Sequence, residues 1–246
     1  MIVRLDTPEA RAAPVELIGG KAHGLVALIA LGLPVPPAVV LPVSDTGDLG
    51  VEPAEIVRML GGAPLAVRSS GVAEDTDERS AAGQFESVMG VTADDLLEAV
   101  VRVRRSATSN RVRAYSGDAS SVAVVIQREI PASRAGVAFS RDPTTGSDEV
   151  VIECAFGHGE AIVSGAVTPD RYRVTADGTV AARLSIGAHA RGLLRTLRDD
   201  EAVDLADLTR RAEDGFGRPV DVEFCFERRR LWLVQARAIT TLVVGR

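Results

Sequence analysis

The sequence predicts an α+β fold, and three observations support this prediction. A helical pattern follows two glycines near the N-terminus, the second half of the chain reads mainly as short strands joined by turns, and a further helix is predicted near residues 200–214. Strands that are joined by hairpins and flanked by helices are typical of α+β proteins rather than of doubly wound parallel sheets. The 246 residues are enough for one large domain or two small lobes.

The first predicted helix covers residues 22–31, where apolar residues recur at helical spacing until Gly32. Lys21, the only lysine in the chain, lies at the start of this helix behind two glycines. Backbone N–H groups and the helix dipole favour an anion at such a position. The segment is not a Walker A motif, because Ala22 follows the lysine where Ser or Thr is required.

Three more segments complete the first half of the chain. Residues 63–71 read as a short buried strand that enters a turn, residues 93–115 as a helix, and residues 121–130 as a β-branched strand. Arg68 lies in the first of these strands and precedes two serine hydroxyls, an arrangement that suits a phosphate. On the residues alone, a surface ion pair is the alternative for this arginine.

The final hairpin has the most informative polar pattern. If residues 228–230 form a three-residue loop, Glu223 lies opposite Gln235 and Asp221 lies opposite Arg237. Period-two alternation then places these four polar residues on one face of the sheet. The other face would hold apolar side chains, namely Val222, Phe224, Phe226, Trp232 and Val234.

The polar face of this hairpin is a candidate cation site. A carboxylate and an amide oxygen held about 5 Å apart across two strands suit Mg²⁺, which takes one or two protein oxygens and completes its shell with phosphates. Arg237, two residues along the same face, would then bind a phosphate oxygen. On the residues alone, a solvated face with an ordinary cross-strand pair is the alternative.

Composition argues against several partners and compartments. The net charge of −6 and the lack of a long basic run argue against nucleic-acid binding. Two cysteines without a CxxC motif or a signal peptide indicate a reducing, cytoplasmic environment with free thiols. The longest apolar stretch, residues 24–40, is interrupted by a glycine and three prolines, so we expect no membrane span.

Eight ordered motifs resemble those of a known family. They are GGKAHGL, AVRSSGVAEDT, AAGQFESVMGV, VAVVIQREI, GVAFSRDPTTG, GHGEAIVSGAVTPDRY, DVEF and LVQARAIT. In this order the motifs resemble the nucleotide-binding domain of the phosphoenolpyruvate synthase and pyruvate phosphate dikinase family, to which rifampin phosphotransferase also belongs. The resemblance spans essentially the whole chain and implies an ATP-grasp fold, in which two α+β lobes close on ATP.

The resemblance implies roles for the residues near the N-terminus and for a nearby loop. Lys21 and Arg68 would bind the phosphates of ATP. The AAGQFES loop would close over these phosphates through Gly83, Gln84 and Ser87.

Residues of the second half would complete the site by the same resemblance. Glu223 and Gln235 would hold Mg²⁺, and Arg237 would stabilise the phosphoryl group in transfer. The adenine pocket would be lined at the hinge by Gln127, Glu129 and Ile130.

We expect residues 1–126 and 127–246 to form the two lobes. The resemblance implies an ATP-dependent phosphotransferase that passes a phosphoryl or pyrophosphoryl group to a histidine on a partner domain or protein. Two alternatives stay open, namely a kinase that phosphorylates a small molecule directly and a regulatory module that binds ATP without catalysis.

Overall fold

The structure is a computed structural model and forms two compact units. The first comprises Met1–Ala30 and Pro36–Glu129, and the second comprises Leu31–Val35 and Ile130–Arg246. The structure describes residues 2–43, 49–71, 87–114, 122–157, 168–184 and 195–239, with the side chains of residues 108–114 outside the description.

The described part of the first unit is a five-stranded antiparallel sheet with four helices. Its elements are β1 (Val3–Arg4), α1 (Pro8–Ala12), α2 (Val15–Ala30), β2 (Ala38–Leu41), α3 (Pro53–Met59), β3 (Leu65–Ser70), β4 (Ser87–Val91), α4 (Leu96–Ala114) and β5 (Ala123–Arg128). The strand order is β1-β2-β5-β3-β4. The predicted helix at residues 22–31 is the second part of α2, which begins seven residues earlier than expected.

The two faces of this sheet pack against different helices. Leu65 and Val67 of β3 and Ile126 of β5 belong to a buried apolar cluster that includes residues of α3 and α4. Because side chains alternate along a strand, Arg68 and Ser70 point to the opposite face. Helix α2 contacts β3 and β5. Ser70 hydrogen-bonds to α2, which shows that the helix lies on this opposite face.

The described part of the second unit is a six-stranded antiparallel sheet with one helix. Its elements are β6 (Arg134–Phe139), β7 (Val150–Phe156), β8 (Asp170–Val174), β9 (Val180–Leu184), α5 (Asp199–Phe216), β10 (Val220–Glu227) and β11 (Arg230–Ala238). The strand order is β11-β10-β6-β7-β8-β9. The predicted helix near residues 200–214 is α5.

Helix α5 packs on this sheet through one face. Its buried residues recur at helical spacing and include Ala202, Leu205, Ala206, Thr209 and Ala212. Three acidic residues in its first turn interact favourably with the positive end of the helix dipole. No helix in the described part of either unit is long and apolar enough to cross a membrane.

A buried ion pair ties the start of α5 to β6. The Arg134 guanidinium donates to both carboxylate oxygens of Glu201, at 2.6 and 3.0 Å, and it lies 4.2 Å from the centre of the Phe226 ring. Both charged side chains are nearly buried, with exposed fractions of 13% and 10%. Burial alone would raise the pKa of Glu201, but hydrogen bonds from Arg134 and the Arg198 N–H outweigh it, so the pKa lies below its ordinary value.

Replacing Glu201 with glutamine should destabilise the second unit. The change leaves the Arg134 charge buried without a carboxylate, which costs about 3 kcal/mol of unfolding free energy at pH 7. Because the folded-state pKa of Glu201 is lowered, its contribution is present above the unfolded value of 4.5 and is lost as the pH falls through the folded value. Urea unfolding can be followed by the fluorescence of Trp232, the only tryptophan. The unfolding free energies of the parent and of Glu201→Gln should differ at pH 7, and this difference should become smaller below pH 4.5.

The matched control for this prediction is Asp200→Asn. Asp200 lies in the same helical turn, but its side chain is 66% exposed and pairs with an exposed arginine. An ion pair of this kind contributes less than about 1 kcal/mol. If Glu201→Gln and Asp200→Asn lost the same unfolding free energy, the stabilising role of the buried Arg134–Glu201 pair would be contradicted.

Neither cysteine forms a disulfide, as the sequence predicted. Cys154 and Cys225 are both buried and are not joined by a disulfide bond. Burial raises the pKa of Cys154 to about 12. Its thiol therefore stays protonated at neutral pH and is not suited to nucleophilic catalysis.

Candidate functional site

Lys21 lies directly after a break in α2. The helix is interrupted at Gly19, whose φ of 76° and ψ of 168° are not helical. The second helical segment begins after this break, so Lys21 lies in its first turn, where it is half-buried. The positive end of the helix dipole favours an anion at such a position. The structure therefore places Lys21 at a helical N-terminus, as the sequence predicted.

Arg68 and Gln127 lie on the sheet face that α2 contacts. Arg68 of β3 pairs with Val125 of β5, and two residues along β5 Gln127 pairs with Ala66. The two side chains consequently point to the same side of the sheet. Ser87, at the start of β4, lies opposite Arg68 on the other side of β3.

Gln127 is a buried amide with an unsatisfied donor. Only 2% of the residue is exposed, and its Nε2 atom has no hydrogen-bond partner among the described residues. Its neighbours on both adjacent strands are small, namely Ala38 and Ala66. Burying an N–H group without an acceptor is costly. A ligand that brings an acceptor to this amide would therefore be stabilised.

The other two residues predicted at the hinge fall in different units. Glu129 belongs to the first unit, where its carboxylate accepts a hydrogen bond from the Gly90 N–H of β4. Ile130 opens the second unit and packs in an apolar cluster with Ala135, Cys225 and Trp232. Gly83 and Gln84 of the predicted phosphate loop lie outside the described residues.

The final hairpin brings together the four polar residues that the sequence placed on one face. Glu223 of β10 lies opposite Gln235 of β11, and Asp221 lies opposite Arg237. The Arg237 Nε–H donates to both oxygens of Asp221, at 2.9 and 2.8 Å. Asp221 is 7% exposed, whereas 41% of the Arg237 side chain is exposed. The buried carboxylate therefore orients an arginine that still reaches solvent.

The tip of this hairpin differs from the prediction. The loop has two residues rather than three, because Glu227 pairs with Arg230 and only residues 228–229 turn the chain. Arg228 takes a positive φ of 58°, which two-residue hairpin loops require. A β-bulge at Val234 adds one residue to β11 and restores the expected pairing from Glu223 onward.

The two-residue loop also places Trp232 differently from the prediction. Trp232 lies opposite Cys225, and therefore on the face of Glu223 rather than with the apolar side chains of Phe224 and Phe226. Those two phenylalanines lie opposite Leu233 and Leu231 instead. Val234 is the extra residue of the bulge and does not continue the alternation.

Glu223 and Gln235 fit the requirements of a magnesium ion. Their side chains are neighbours across the hairpin, and neither makes a hydrogen bond or ion pair with the residues that the structure describes. No cluster of three or more His, Cys, Asp or Glu side chains in the described part of the chain is suited to a metal. Two protein oxygens suffice for Mg²⁺ only when phosphates and water complete its shell. The donor set therefore suits a metal that arrives with a phosphate ligand.

Two residues that contact or adjoin predicted site residues, one in each unit, were not assigned a role from the sequence. Asp221 was predicted to face Arg237, and this cross-strand pairing was itself the signal that it orients the arginine. Ser70 lies next to the predicted phosphate residues, but its contact with α2 joins positions about fifty residues apart. No local pattern in the sequence indicates a contact of that kind.

Residues 53–244 match the family model described as "Pyruvate phosphate dikinase, AMP/ATP-binding domain". A probable phosphoenolpyruvate synthase of Methanothermobacter thermautotrophicus is 35% identical over 72% of this chain and 30% of its own length. A rifampicin phosphotransferase of Streptomyces sp. is 37% identical over 72% of this chain and 23% of its own length. The chain thus spans about a quarter to a third of the length of these relatives.

A solved structure has a similar fold. PH1788 from Pyrococcus horikoshii Ot3 superimposes with a TM-score of 0.56 over 94% of both chains, at 15% identity. At this identity the similarity concerns the fold alone.

Proposed function

Because the chain belongs to the family of pyruvate phosphate dikinase AMP/ATP-binding domains, we propose that it uses Mg-ATP to transfer a phosphoryl or pyrophosphoryl group to a histidine on a partner domain or protein. The fold is α+β of the ATP-grasp type, and relatives with phosphotransferase and synthase names support phosphotransfer chemistry. In this proposal residues 1–126 and 127–246 are the two ATP-grasp lobes.

The polar face of the final hairpin is the observation that carries the proposal. Glu223 and Gln235 are adjacent oxygen donors without partners among the described residues, and Arg237 is oriented two residues away by Asp221. Phosphoryl transfer requires positioning and charge neutralisation more than a protein nucleophile. In this proposal the face would supply a pair of metal ligands together with an oriented cation.

Residues of the first unit, together with Ile130 of the second, would bind the remainder of the nucleotide. Lys21 and Arg68 would neutralise phosphate oxygens, the former from the first turn of a helical segment. The buried amide of Gln127 would donate to a base acceptor, which would satisfy its unpaired Nε2 atom. Glu129 and Ile130 would line the adenine pocket, and Gly83, Gln84 and Ser87 would close over the phosphates.

The chemical step would rely on charge stabilisation. Mg²⁺ held by Glu223 and Gln235 would neutralise charge that develops on the phosphate oxygens. The Arg237 fork would bind the phosphoryl group in transfer, with its orientation maintained by Asp221. The acceptor in this proposal is a histidine nitrogen of the partner, and the leaving group is AMP or ADP.

A labelling experiment tests the proposal. The chain is incubated with Mg²⁺, a candidate histidine domain and ATP labelled at either the β or the γ phosphorus. Label from the γ position alone, with ADP as product, indicates phosphoryl transfer, whereas label from both positions, with AMP, indicates pyrophosphoryl transfer. Turnover without a protein acceptor would favour a small-molecule kinase, and magnesium-dependent ATP binding without turnover would favour a regulatory module.

Replacing Glu223 with glutamine should raise the Mg²⁺ concentration that half-saturates ATP binding. Loss of groups that merely support metal ligands lowers metal affinity 10- to 100-fold, so loss of a charged ligand should cost at least about tenfold. Titration of Mg²⁺ at fixed ATP measures the shift. The control is Glu227→Gln on the same strand and face, whose carboxylate accepts from the Trp232 indole N–H and which should leave the titration unchanged.

A further inference from the structure

The hydroxyl group of Ser70, at the end of β3, bonds to the backbone on both sides of the break in α2. Ser70 is fully buried, and its Oγ donates to the Ile18 carbonyl at 2.8 Å while it accepts from the Ala22 N–H at 3.1 Å. A helix that is interrupted leaves a carbonyl before the break and N–H groups after it without helical partners. Ser70 therefore satisfies one group on each side of Gly19, as a capping side chain supplied by another element.

Backbone contacts reinforce this connection. The Gly20 N–H donates to the Gly71 carbonyl at 3.1 Å. The N–H groups immediately before and after Lys21, those of Gly20 and Ala22, are consequently both bonded to residues 70–71. The path of the chain through Lys21 is thus fixed by the end of β3, the strand that also carries Arg68.

We infer that Ser70 is a positioning residue that fixes Lys21 for binding to the phosphates of ATP. The inference rests on the proposed function, in which Lys21 is a phosphate ligand. Ser70 itself does not contact the nucleotide, and its effect passes through the first turn of the second helical segment. Its hydroxyl must donate and accept at once, which alanine cannot do and cysteine does only weakly.

Nucleotide binding distinguishes this role from a purely structural one. Ser70→Ala should weaken Mg-ATP binding about tenfold, the size expected when a charge-assisted phosphate contact is partly lost, and should leave adenosine binding unchanged. A variant that only loosens the fold would weaken both ligands or neither. Ser70→Thr keeps the hydroxyl and should restore ATP binding. Ser69→Ala is the matched control, because Ser69 is equally buried on the opposite face of β3.

A double variant tests whether the effect passes through Lys21. If Ser70 acts by positioning Lys21, adding Ser70→Ala to Lys21→Met should weaken ATP binding no further than Lys21→Met alone. Additive losses would overturn the inference, and so would an unchanged ATP affinity in Ser70→Ala. If Ser70→Ala does not fold, Ser70→Cys, which keeps a similar volume, decides by the same measurements.

The Lys21→Met variant separates this inference from the proposed function. If Lys21→Met binds ATP and adenosine as the parent does, Lys21 is not a phosphate ligand, and both the phosphate assignment and the role of Ser70 fail. If Lys21→Met loses ATP selectively while Ser70→Ala does not, only the role of Ser70 fails.

Discussion

Replacing Arg237 with methionine should lower the rate of phosphoryl transfer by about 10³-fold, the lower end of the range for arginines that stabilise a transferring phosphoryl group. Methionine keeps much of the side-chain volume and removes the charge. The rate is measured in single turnovers with labelled ATP and the histidine acceptor, from the appearance of label on the acceptor. ATP binding should change much less, because the group acts mainly on charge that develops during transfer.

Three companion variants sharpen this prediction. Arg237→Lys should not restore the rate, because an ammonium cannot reproduce the planar fork held by Asp221. Asp221→Asn should give an intermediate loss, since the arginine remains but is less firmly oriented. Arg229→Met, in the turn of the same hairpin, is the control and should transfer at the parental rate. A transfer rate in Arg237→Met within threefold of the parent would contradict the role assigned to Arg237.

Replacing Gly19 with alanine should lower the free energy of unfolding by about 3–5 kcal/mol. A Cβ atom at this position would lie 1.9 Å from the Ser70 carbonyl oxygen, and the φ of 76° is one that side chains disfavour. The backbone of β3 cannot move away from this Cβ atom without breaking its pairing with β5. Urea unfolding followed by circular dichroism measures the loss.

The control for this variant is Gly61→Ala. Gly61 has a similar φ of 86°, but a Cβ atom there would meet nothing within 4 Å. Its substitution should cost only the conformational strain, about 1–2 kcal/mol. If the two variants lose the same stability, the close approach of Gly19 to Ser70 is not the cause.

The site end of the final hairpin was predictable from the sequence, and its tip was not. Alternation of polar and apolar residues placed Asp221 and Glu223 opposite Arg237 and Gln235, and the structure confirms these pairs. The run of three arginines contains no glycine or asparagine to indicate a two-residue turn. The loop is one residue shorter than predicted, and the bulge at Val234 adds one residue to β11, so the predicted pairs beyond the bulge still form. No sequence pattern indicates this bulge.

Features that depend on contacts between distant segments were not predictable from the sequence. The pair of glycines was read as preceding a helix, whereas the helix begins at Val15 and is broken at Gly19. That break is compatible with the fold because Ser70 supplies both a donor and an acceptor. The Gln127 Nε2 atom likewise lacks a partner among the described residues, and its neighbours are alanines of two strands that come beside it only when the sheet forms.

The bulge at Val234 makes the two ends of the hairpin separately adjustable. A loop longer by one residue, combined with a strand shorter by one, would leave Glu223 beside Gln235 and Asp221 beside Arg237. Deletion of Val234 would remove the bulge without moving these pairs, because Phe224 already lies opposite Leu233 and Glu223 opposite Gln235. The proposed cation-binding pair therefore keeps its alignment whether the loop that closes the hairpin has two residues or three.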